Sequence, residues 1–492
     1  MIISKPNLFL AKKHLFCLFL AALTVRLFFF LGYVSHETRY QQPDSIDYHN
    51  SALCLYLGAG MYRIDTHEPI FWRTPGYPFY LSLFYTLFPS KKFGFDHWST
   101  AHFWALIVQI LLCSLIPLLV VYLTLIFTHN QKIALISGWA VVFHIGFILA
   151  SMYLLTEGLA VLLFIAFLCL CYRAMRSEYF LTMTIVLAAL TLGAYTWIRP
   201  MGQFVAIAIT SIWVIFGQGN LALRFKKTLL FLTLFLITIT PWYIRNHALT
   251  GHWFFCPMSG PYLNSFCAPK ILRTIREIPL EQSIRILHRR ANQRIQQAQR
   301  NTAGTGYVVS KEWECNAIAL PIIKEHPWLF LKDWTKEVIK TTFDLYSYQL
   351  AALAAGTFKY DPLEEFLTEK LASCLYQQAM PWWMRIICYF EVLFSFILWV
   401  GIFGGIIWFM FMPFFYRHNS SNQTQYLHKL WWQVIPLIIA VLWMTGGFGY
   451  ARLRLPVESL LIIMSLTWWY YVINKKHIEK ANNSIYPPSQ CI

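Results

Sequence analysis

Apolar segments of membrane-spanning length recur along the whole sequence, and they restrict its fold more than any other feature. A helix needs about 20 mainly apolar residues to cross a bilayer. The chain of 492 residues is 57% hydrophobic and only 13% charged. A soluble protein of this length needs far more charge to cover its surface. The sequence therefore predicts an all-α polytopic membrane protein.

We predict about ten spanning helices, within a range of about nine to thirteen. The first carries Arg26 and lacks a small-residue cleavage site, so it is predicted to be a retained helix. The shorter run PFYLSLFYTLF, 78–88, predicts a helix that lies along the membrane surface. The ten segments are 14–34, 103–127, 133–150, 157–172, 179–197, 201–217, 228–246, 388–412, 431–449 and 456–473.

Basic residues orient these segments. The net charge of +17 lies largely in the connections, which indicates topology and an anionic lipid partner rather than nucleic acid. The positive-inside rule predicts cytoplasmic termini and a site on the outer, periplasmic face. A bacterial inner membrane is favoured because the sequence shows no clear organelle signal and has a compact tail. The basic connections contain Lys5, Lys12, Lys13, Lys132, Arg173, Arg176, Arg224, Lys226, Lys227, Arg417, Lys429, Lys475, Lys476 and Lys480.

The chain divides into four predicted regions. Residues 1–246 form an N-terminal transmembrane module with a first outer loop at 35–100, and 247–387 form a long, partly helical outer loop. C-terminal helices at 388–474 precede a cytoplasmic tail at 475–492. In the long loop, 281–300 and 326–343 are predicted helices, and the basic face of the first either touches lipid head groups or is solvated. Cys256 and Cys267 form a disulfide only if this loop faces an oxidising compartment, which the sequence leaves open.

Short polar clusters fall on the predicted outer face. They are DSIDY at 44–48, RTPGYP at 73–78, TEG at 156–158, and the arginine sites WIRP, PWYIRN and ARLRLP. Each has a structural explanation. Asp44 is a favourable helix N-cap, Glu157 complements a helix dipole, and arginines at helix ends snorkel to head groups. The candidate site residues are Asp44, Tyr48, Arg73, Tyr77, Glu157, Arg199, Arg245, Asn246, Arg452 and Arg454.

Together these clusters indicate a specific chemistry. Arginine binds phosphate bidentately, and a membrane lipid delivers its phosphate at the depth of helix ends. If that phosphate leaves from a sugar, the arginines also stabilise the charge that develops. One carboxylate then suffices to take the proton of the incoming hydroxyl. Direct displacement of this kind inverts the anomeric configuration.

These motifs, in this order, resemble those of the integral-membrane glycosyltransferases of the GT-C fold. The branch is the one related to protein O-mannosyltransferases and to the lipid A aminoarabinose transferase. The resemblance covers 40–250 and 445–465. It implies that Asp44 is the catalytic base or orients the acceptor, and that Glu157 is a second acidic position. It also implies that Arg73 belongs to the motif of the surface helix and that Arg245 and Arg452 lie near the lipid phosphate. Asp47 is ranked second to Asp44.

The expected partners are a polyprenyl-phosphate-linked sugar donor, membrane lipids, and an acceptor that is lipid, protein or glycan. No cofactor is predicted, although a divalent metal stays open. One alternative is a polysaccharide ligase or polymerase with the same donors. The other is a transporter of lipid-linked sugars, for which broken helices and ionisable residues at mid-membrane are expected. The predicted helices are continuous, with acids at their ends, which favours an enzyme.

Overall fold

We describe the fold from a computed structural model of the chain. It describes residues 11–34, 44–63, 68–89, 99–301, 306–347, 382–415, 422–445 and 451–474. Within these ranges the protein is almost entirely helical, without β-strands, and has one isolated bridge between Tyr62 and Pro69. The predicted tail at 475–492 lies outside the described residues.

Nineteen α-helices occur in the described residues. They are α1 (Lys12–Phe29), α2 (Ser45–Tyr56), α3 (Gly76–Leu87), α4 (Thr100–Cys113), α5 (Ile116–Thr128), α6 (Gln131–Phe143), α7 (Ile145–Met152), α8 (Glu157–Arg176), α9 (Thr182–Ile198), α10 (Gly202–Phe216), α11 (Leu221–Thr250), α12 (Ser259–Tyr262), α13 (Ala268–Arg276), α14 (Leu280–Asn301), α15 (Gly306–Glu325), α16 (Pro327–Phe343), α17 (Trp382–Phe415), α18 (Asn422–Thr445) and α19 (Ala451–Ile473). Short π-helical segments follow α1 and α12.

The chain is an integral membrane protein. Five helical stretches of the described residues are long and apolar enough to span a bilayer, and the bent pair α6–α7 makes a sixth. The five are Lys12–Gly32, Thr100–Thr128, Glu157–Arg176, Trp382–Trp408 and Ala451–Ile473. Helices α9, α10 and the last part of α18 are shorter apolar helices. Each of the ten predicted segments falls on one of the α-helices or a consecutive pair, as far as the structure describes it.

Three of the apolar stretches form the centre of the helix bundle. Protein buries 67% of the most apolar window of Thr100–Thr128, 72% of that of Glu157–Arg176 and 61% of that of Ala451–Ile473. The corresponding share is 22% for the first stretch and 28% for Trp382–Trp408, so α1 and α17 lie at the periphery. The two central helices α8 and α19 begin with the TEG and ARLRLP motifs, which places both motifs at the ends of buried helices.

One prediction about the helices is wrong. Segment 133–150 is not continuous, because α6 and α7 meet at a bend of 52°. At the bend, the ring of His144 accepts a hydrogen bond from the backbone N–H of Gly146 (3.2 Å) and caps α7. The ring of Tyr346 packs so closely here that a Cβ on Gly146 would lie 2.7 Å from it. No proline marks this break in the sequence.

The long loop predicted at 247–387 contains five helices, α12 to α16, in the part that the structure describes. Helix α14 confirms the amphipathic helix predicted at 281–300, since Leu287, Ala291 and Ile295 are buried on one face. Helix α16 confirms the one predicted at 326–343. The disulfide left open for Cys256 and Cys267 is absent, because both thiols are free.

Candidate active site

Helix α2 places the first acidic motif at its N-terminus. Asp44 occupies the N-cap position, but its side chain makes no capping hydrogen bond. The interpretation of Asp44 as a cap is therefore wrong. Because Asp44, Asp47 and Tyr48 share one helical face, all three side chains point to the same neighbour, Arg73.

Arg73 ties the DSIDY motif to the RTPGYP motif. Its guanidinium donates to Asp44 Oδ1 at 2.9 Å and to Asp47 Oδ2 at 2.8 Å. It also lies over the ring of Tyr48, 4.9 Å from the ring centre, in cation–π geometry. The arginine thus holds both carboxylates of α2 through charge-assisted hydrogen bonds.

The remainder of RTPGYP fixes Arg73 against the end of α9. The hydroxyl of Thr74 donates to the carbonyl of Ile198 at 2.9 Å. Gly76 lies so close to the backbone of Trp197 that an added Cβ would be 2.7 Å from the carbonyl group. This close approach explains the need for glycine in the motif. It also brings Arg73 near the WIRP motif, which begins at Trp197.

Arg452 brings the C-terminal part of the chain into the same cluster. It is the second residue of α19, and its guanidinium donates to Asp44 Oδ2 at 3.1 Å. A second nitrogen lies 3.9 Å from Glu157 Oε1. Residues more than 400 positions apart in sequence therefore meet at one carboxylate.

Glu157 and Arg199 form the inner wall of this cluster. Glu157 is the first residue of α8 and pairs with Arg199 at 2.6 Å. The next residue, Gly158, packs against α7 so closely that a Cβ would lie 2.6 Å from the carbonyl oxygen of Ala150. The TEG motif therefore supplies a carboxylate and the contact that seats it.

Exposure distinguishes the carboxylates of the cluster. The side chain of Asp44 is 35% exposed, whereas that of Glu157 is 8% exposed. Asp47 is as open as Asp44 but contacts Arg73 rather than Arg452. Asp44 is therefore the acid that a molecule entering from solvent can reach while it also faces two arginines. Three carboxylates and three guanidiniums balance the charge of the cluster.

The surrounding charges shift the ionisation of the accessible residues. Burial raises the pKa of Asp44, but the guanidiniums of Arg452 and Arg73 outweigh it and hold this pKa below its ordinary value. Burial lowers the pKa of Arg73, but Tyr48 and the two aspartates outweigh it, so this pKa is raised. Asp44 is thus ionised and Arg73 protonated at neutral pH.

Buried polar contacts behind α2 hold it in register. Ser45 donates to the carbonyl of Leu154 at 2.9 Å, just before the TEG motif. Nδ1 of His49 lies 2.8 Å from the hydroxyl oxygen of Tyr85 and 3.1 Å from Nε2 of His102. These contacts bind α2 to α3 and α4, and thereby fix the direction of the Asp44 side chain.

Four of the predicted site residues lie outside this cluster of charges. Tyr77 is buried behind Tyr48 and donates to Gln109. Arg245 donates to the carbonyls of Met61 and Ile70, at 2.9 and 3.2 Å, and its guanidinium stacks on Trp242. The contacts of Arg245 thus fasten the segment between α2 and α3.

Asn246 and Arg454 have structural partners of their own. The amide of Asn246 donates to the carbonyls of Phe254 and Phe255 and accepts from Arg245. Arg454 pairs with Glu458 at 2.5 Å inside α19. The six predicted residues that do come together are Asp44, Tyr48, Arg73, Glu157, Arg199 and Arg452.

The Arg454–Glu458 pair belongs to a second, fully buried polar cluster that sequence reasoning missed. Glu458 also accepts from the hydroxyl of Tyr346 at 3.1 Å and lies 3.2 Å from Nε2 of His144. The spacing of Arg454 and Glu458, four residues apart, was a visible signal for a pair on one helix face. Nothing in the sequence marks His144 or Tyr346.

This second cluster fastens the end of α16 to the first turn of α19. Arg454 donates to the carbonyls of Thr341, Thr342 and Asp344. The carboxylate of Asp344 accepts from the N–H of Ala451 at 3.0 Å. Because Arg452 follows directly, these contacts set the position from which it reaches Asp44.

We expect Glu458→Ala to destabilise the protein by about 3–5 kcal/mol, since it leaves Arg454 buried without its carboxylate. Replacing the pair together, as Arg454→Met with Glu458→Leu, should restore much of that loss. Chemical denaturation of the purified protein in detergent measures both. If Glu458→Ala unfolds at the wild-type denaturant concentration, the pair does not hold this junction.

Comparison with solved structures gives the fold of this chain. No family model matches the sequence, and no curated protein does. The structure resembles the archaeal oligosaccharyltransferase AglB from Archaeoglobus fulgidus in complex with an inhibitory peptide and a dolichol-phosphate. The TM-score is 0.52 at 11% identity, over 97% of this chain and 52% of that one. The apo form of the same oligosaccharyltransferase gives 0.52 at 13% identity, over 96% of this chain and 52% of that one.

The chain has the GT-C fold. This confirms the fold predicted from the motifs. The chain spans about half the length of the oligosaccharyltransferase chains, since the match covers 52% of each of them. ArnT from Cupriavidus metallidurans bound to undecaprenyl phosphate gives a TM-score of 0.35 at 13% identity, over 92% of this chain and 78% of that one.

Proposed function

We propose that this GT-C protein is a membrane glycosyltransferase. It moves a sugar from a polyprenyl-phosphate-linked donor to an acceptor hydroxyl at the outer face of the membrane, with inversion. The observation that carries the proposal is the position of Asp44, an accessible carboxylate between the guanidiniums of Arg73 and Arg452. The catalytic base and the arginine that binds the phosphate thus lie side by side, as the displacement requires.

Arg452 is the phosphate-binding residue in this proposal. It stands at the start of a buried spanning helix, a depth that the phosphate of a membrane lipid reaches. Its side chain is 29% exposed, and its contact to Glu157 is a long one, at 3.9 Å. A donor phosphate therefore competes with carboxylates that hold Arg452 only in part. The A. fulgidus oligosaccharyltransferase structure, which contains a dolichol-phosphate, supports a lipid phosphate as the ligand.

Donor binding then activates the base. When the phosphate takes Arg452, Asp44 loses one of the two cations that lower its pKa. The carboxylate becomes more basic and accepts the proton of the acceptor hydroxyl. The acceptor oxygen forms its bond to the anomeric carbon, the bond from that carbon to the phosphate oxygen breaks, and the phosphate leaves with the electron pair. Arg452 stabilises the charge that the phosphate gains.

The other charged residues have supporting roles. Arg73 orients Oδ1 of Asp44 through its hydrogen bond. Arg73 cannot move to bind the phosphate without also breaking its ion pair with Asp47. Glu157 holds Arg199 and faces Arg452 from the inner side. Because Glu157 is nearly buried, it fixes the arginines rather than receiving the acceptor.

The pH dependence of kcat/KM tests the arrangement around Asp44. The acid limb of kcat/KM reports the free enzyme, in which the pKa of Asp44 is lowered. We therefore expect the acid limb of the wild-type profile to lie below about pH 4, the ordinary pKa of aspartate. In Arg452→Ala burial remains and one cation is gone, so the pKa rises and the limb moves to higher pH. A limb at the same pH in both proteins excludes Asp44 as the group that titrates.

The transporter alternative also has an observation in its favour. Helices α6 and α7 form a broken pair, and Glu458 lies buried in a spanning helix, as in transporters. Both features are nevertheless occupied in structural contacts, since Glu458 pairs with Arg454 and His144 caps α7. The enzyme accounts for the accessible Asp44 cluster, which transport does not require.

Mass spectrometry of lipids and surface glycans decides between these functions. Cells that lack the gene are compared with cells restored by wild type or by Asp44→Asn. The enzyme predicts that a sugar is lost from one acceptor, that a polyprenyl-phosphate sugar accumulates, and that only wild type reverses both. A ligase or polymerase predicts loss of a whole polymer instead of one sugar. A lipid-linked intermediate that changes sides while all glycans stay intact supports transport.

A further inference from the structure

Helix α16 has one face that is largely uncovered among the described residues. Only the last residue of this face, Phe343, packs on the helix bundle, with its ring 4.6 Å from that of Trp399 in α17. A second face carries Glu337, which pairs with Lys270 of α13 at 2.7 Å. A third carries Trp334, whose indole N–H donates to the carbonyl of Trp443. The remaining face forms an open groove of about 510 Å³.

The residues of this groove alternate between apolar and basic. The apolar members and the basic members each recur after one or two helical turns on α16, so together they form one stripe along the helix. The apolar members include Trp328, which is 79% exposed, and Ile339, which is 53% exposed. The basic members are Lys332, Lys336 and Lys340, and no carboxylate lines the groove. Glu337 approaches Lys340 from the adjacent face at 3.5 Å. Lys332 and Lys336 are exposed, whereas Lys340 is half-buried.

Contacts with the ends of two apolar helices fix the depth of α16. Trp443 lies two residues before the end of α18. Arg454, which binds the carbonyls of Thr341 and Thr342, lies in the first turn of α19. The last half of α16 therefore lies level with the ends of two apolar helices. This is the depth of lipid head groups, where exposed tryptophan is enriched.

We propose that this face of α16 binds an anionic phospholipid of the surrounding leaflet. The phosphate lies between Lys332 and Lys336, whose side chains begin about 5–6 Å apart. An acyl chain follows the exposed apolar members toward Ile339 and ends where Phe343 packs on Trp399 of α17. Charge complementarity selects an anionic over a zwitterionic head group, because each lysine near such a surface contributes to the attraction.

The site is separate from the proposed donor site and does not rest on the proposed function. The donor phosphate is assigned to Arg452, an arginine that forms bidentate contacts. The α16 groove has lysines, which act as point charges and suit head groups of variable shape. A bound phospholipid here would fasten α16, and through Arg454 the first turn of α19, at a fixed depth.

Native mass spectrometry of the full-length protein tests this proposal. The protein is exposed to equal amounts of phosphatidylglycerol and phosphatidylcholine, and the ratio of the two bound lipids is measured. We expect wild type to retain phosphatidylglycerol preferentially, and Lys332→Glu with Lys336→Glu to lower this ratio at least about tenfold. The neutral pair Lys332→Gln with Lys336→Gln should lower it less and replaces the first pair if that fails to fold.

The matched control is Lys311→Glu with Lys324→Glu, two exposed lysines of α15. It makes the same change in net charge, and we expect the wild-type ratio. An unchanged ratio in the α16 variants overturns the proposal, and so does an equal loss in the control. Preferential capture of polyprenyl phosphate by Lys332 and Lys336 overturns it too, since the groove would then belong to the donor. The result does not depend on whether any sugar is transferred.

Discussion

Replacing Asp44 with Asn should lower transfer by about 10²- to 10⁴-fold, the contribution of a positioned general base. The amide keeps the size of the side chain and one oxygen for Arg73, so the fold and membrane insertion should persist. It cannot accept the proton of the acceptor hydroxyl. In cells that lack the gene, complementation with Asp44→Asn should leave the product absent and the polyprenyl-linked donor accumulated, at wild-type levels of membrane protein.

Asp47→Asn is the matched control. Asp47 has the same side chain, lies on the same helix and binds the same Arg73, but it has no contact with Arg452 in the structure. We expect at most about a fivefold loss, the size of a partly exposed ion pair. If Asp44→Asn transfers normally, the base assignment is wrong. If Asp47→Asn is the more damaging of the two, the roles of the aspartates are exchanged.

Replacing Arg452 with Ala should weaken donor binding by about 10- to 100-fold, since a charge-assisted hydrogen bond contributes about 1.5–3 kcal/mol. The KM for the lipid-linked donor should rise, and kcat should fall as well, because the leaving phosphate loses its cation. Steady-state kinetics of the purified enzyme in proteoliposomes, with the donor identified in cells, measures both.

Arg173→Ala serves as its control. This arginine is exposed in the last turn of α8, at the opposite end of the helix from Glu157. It tests whether loss of any interfacial arginine weakens the protein through snorkelling alone. An equal rise in KM in both variants would show that Arg452 only snorkels to head groups and does not bind the donor phosphate.

The sequence determined the membrane character, the helices and much of the site. Hydrophobic length alone placed each predicted span on a helix, because a bilayer forces apolar runs into helices. The motif order was enough to predict the GT-C fold, and the helical spacing of Asp44 and Asp47 placed both carboxylates on one face. These are local properties, and local spacing determines them.

The tertiary structure decided which of the predicted residues meet. Four arginines in three motifs looked alike in sequence, yet only Arg452 and Arg199 reach the carboxylates of the candidate site. Arg245 binds backbone carbonyls, and Arg454 binds Glu458 and backbone carbonyls. The bend at His144 was equally invisible, because a tyrosine from a distant segment, Tyr346, packs there. An arginine at a helix end has the same local sequence in every case. Its partner is set by which helices cross at that point, and only packing of the whole chain determines that.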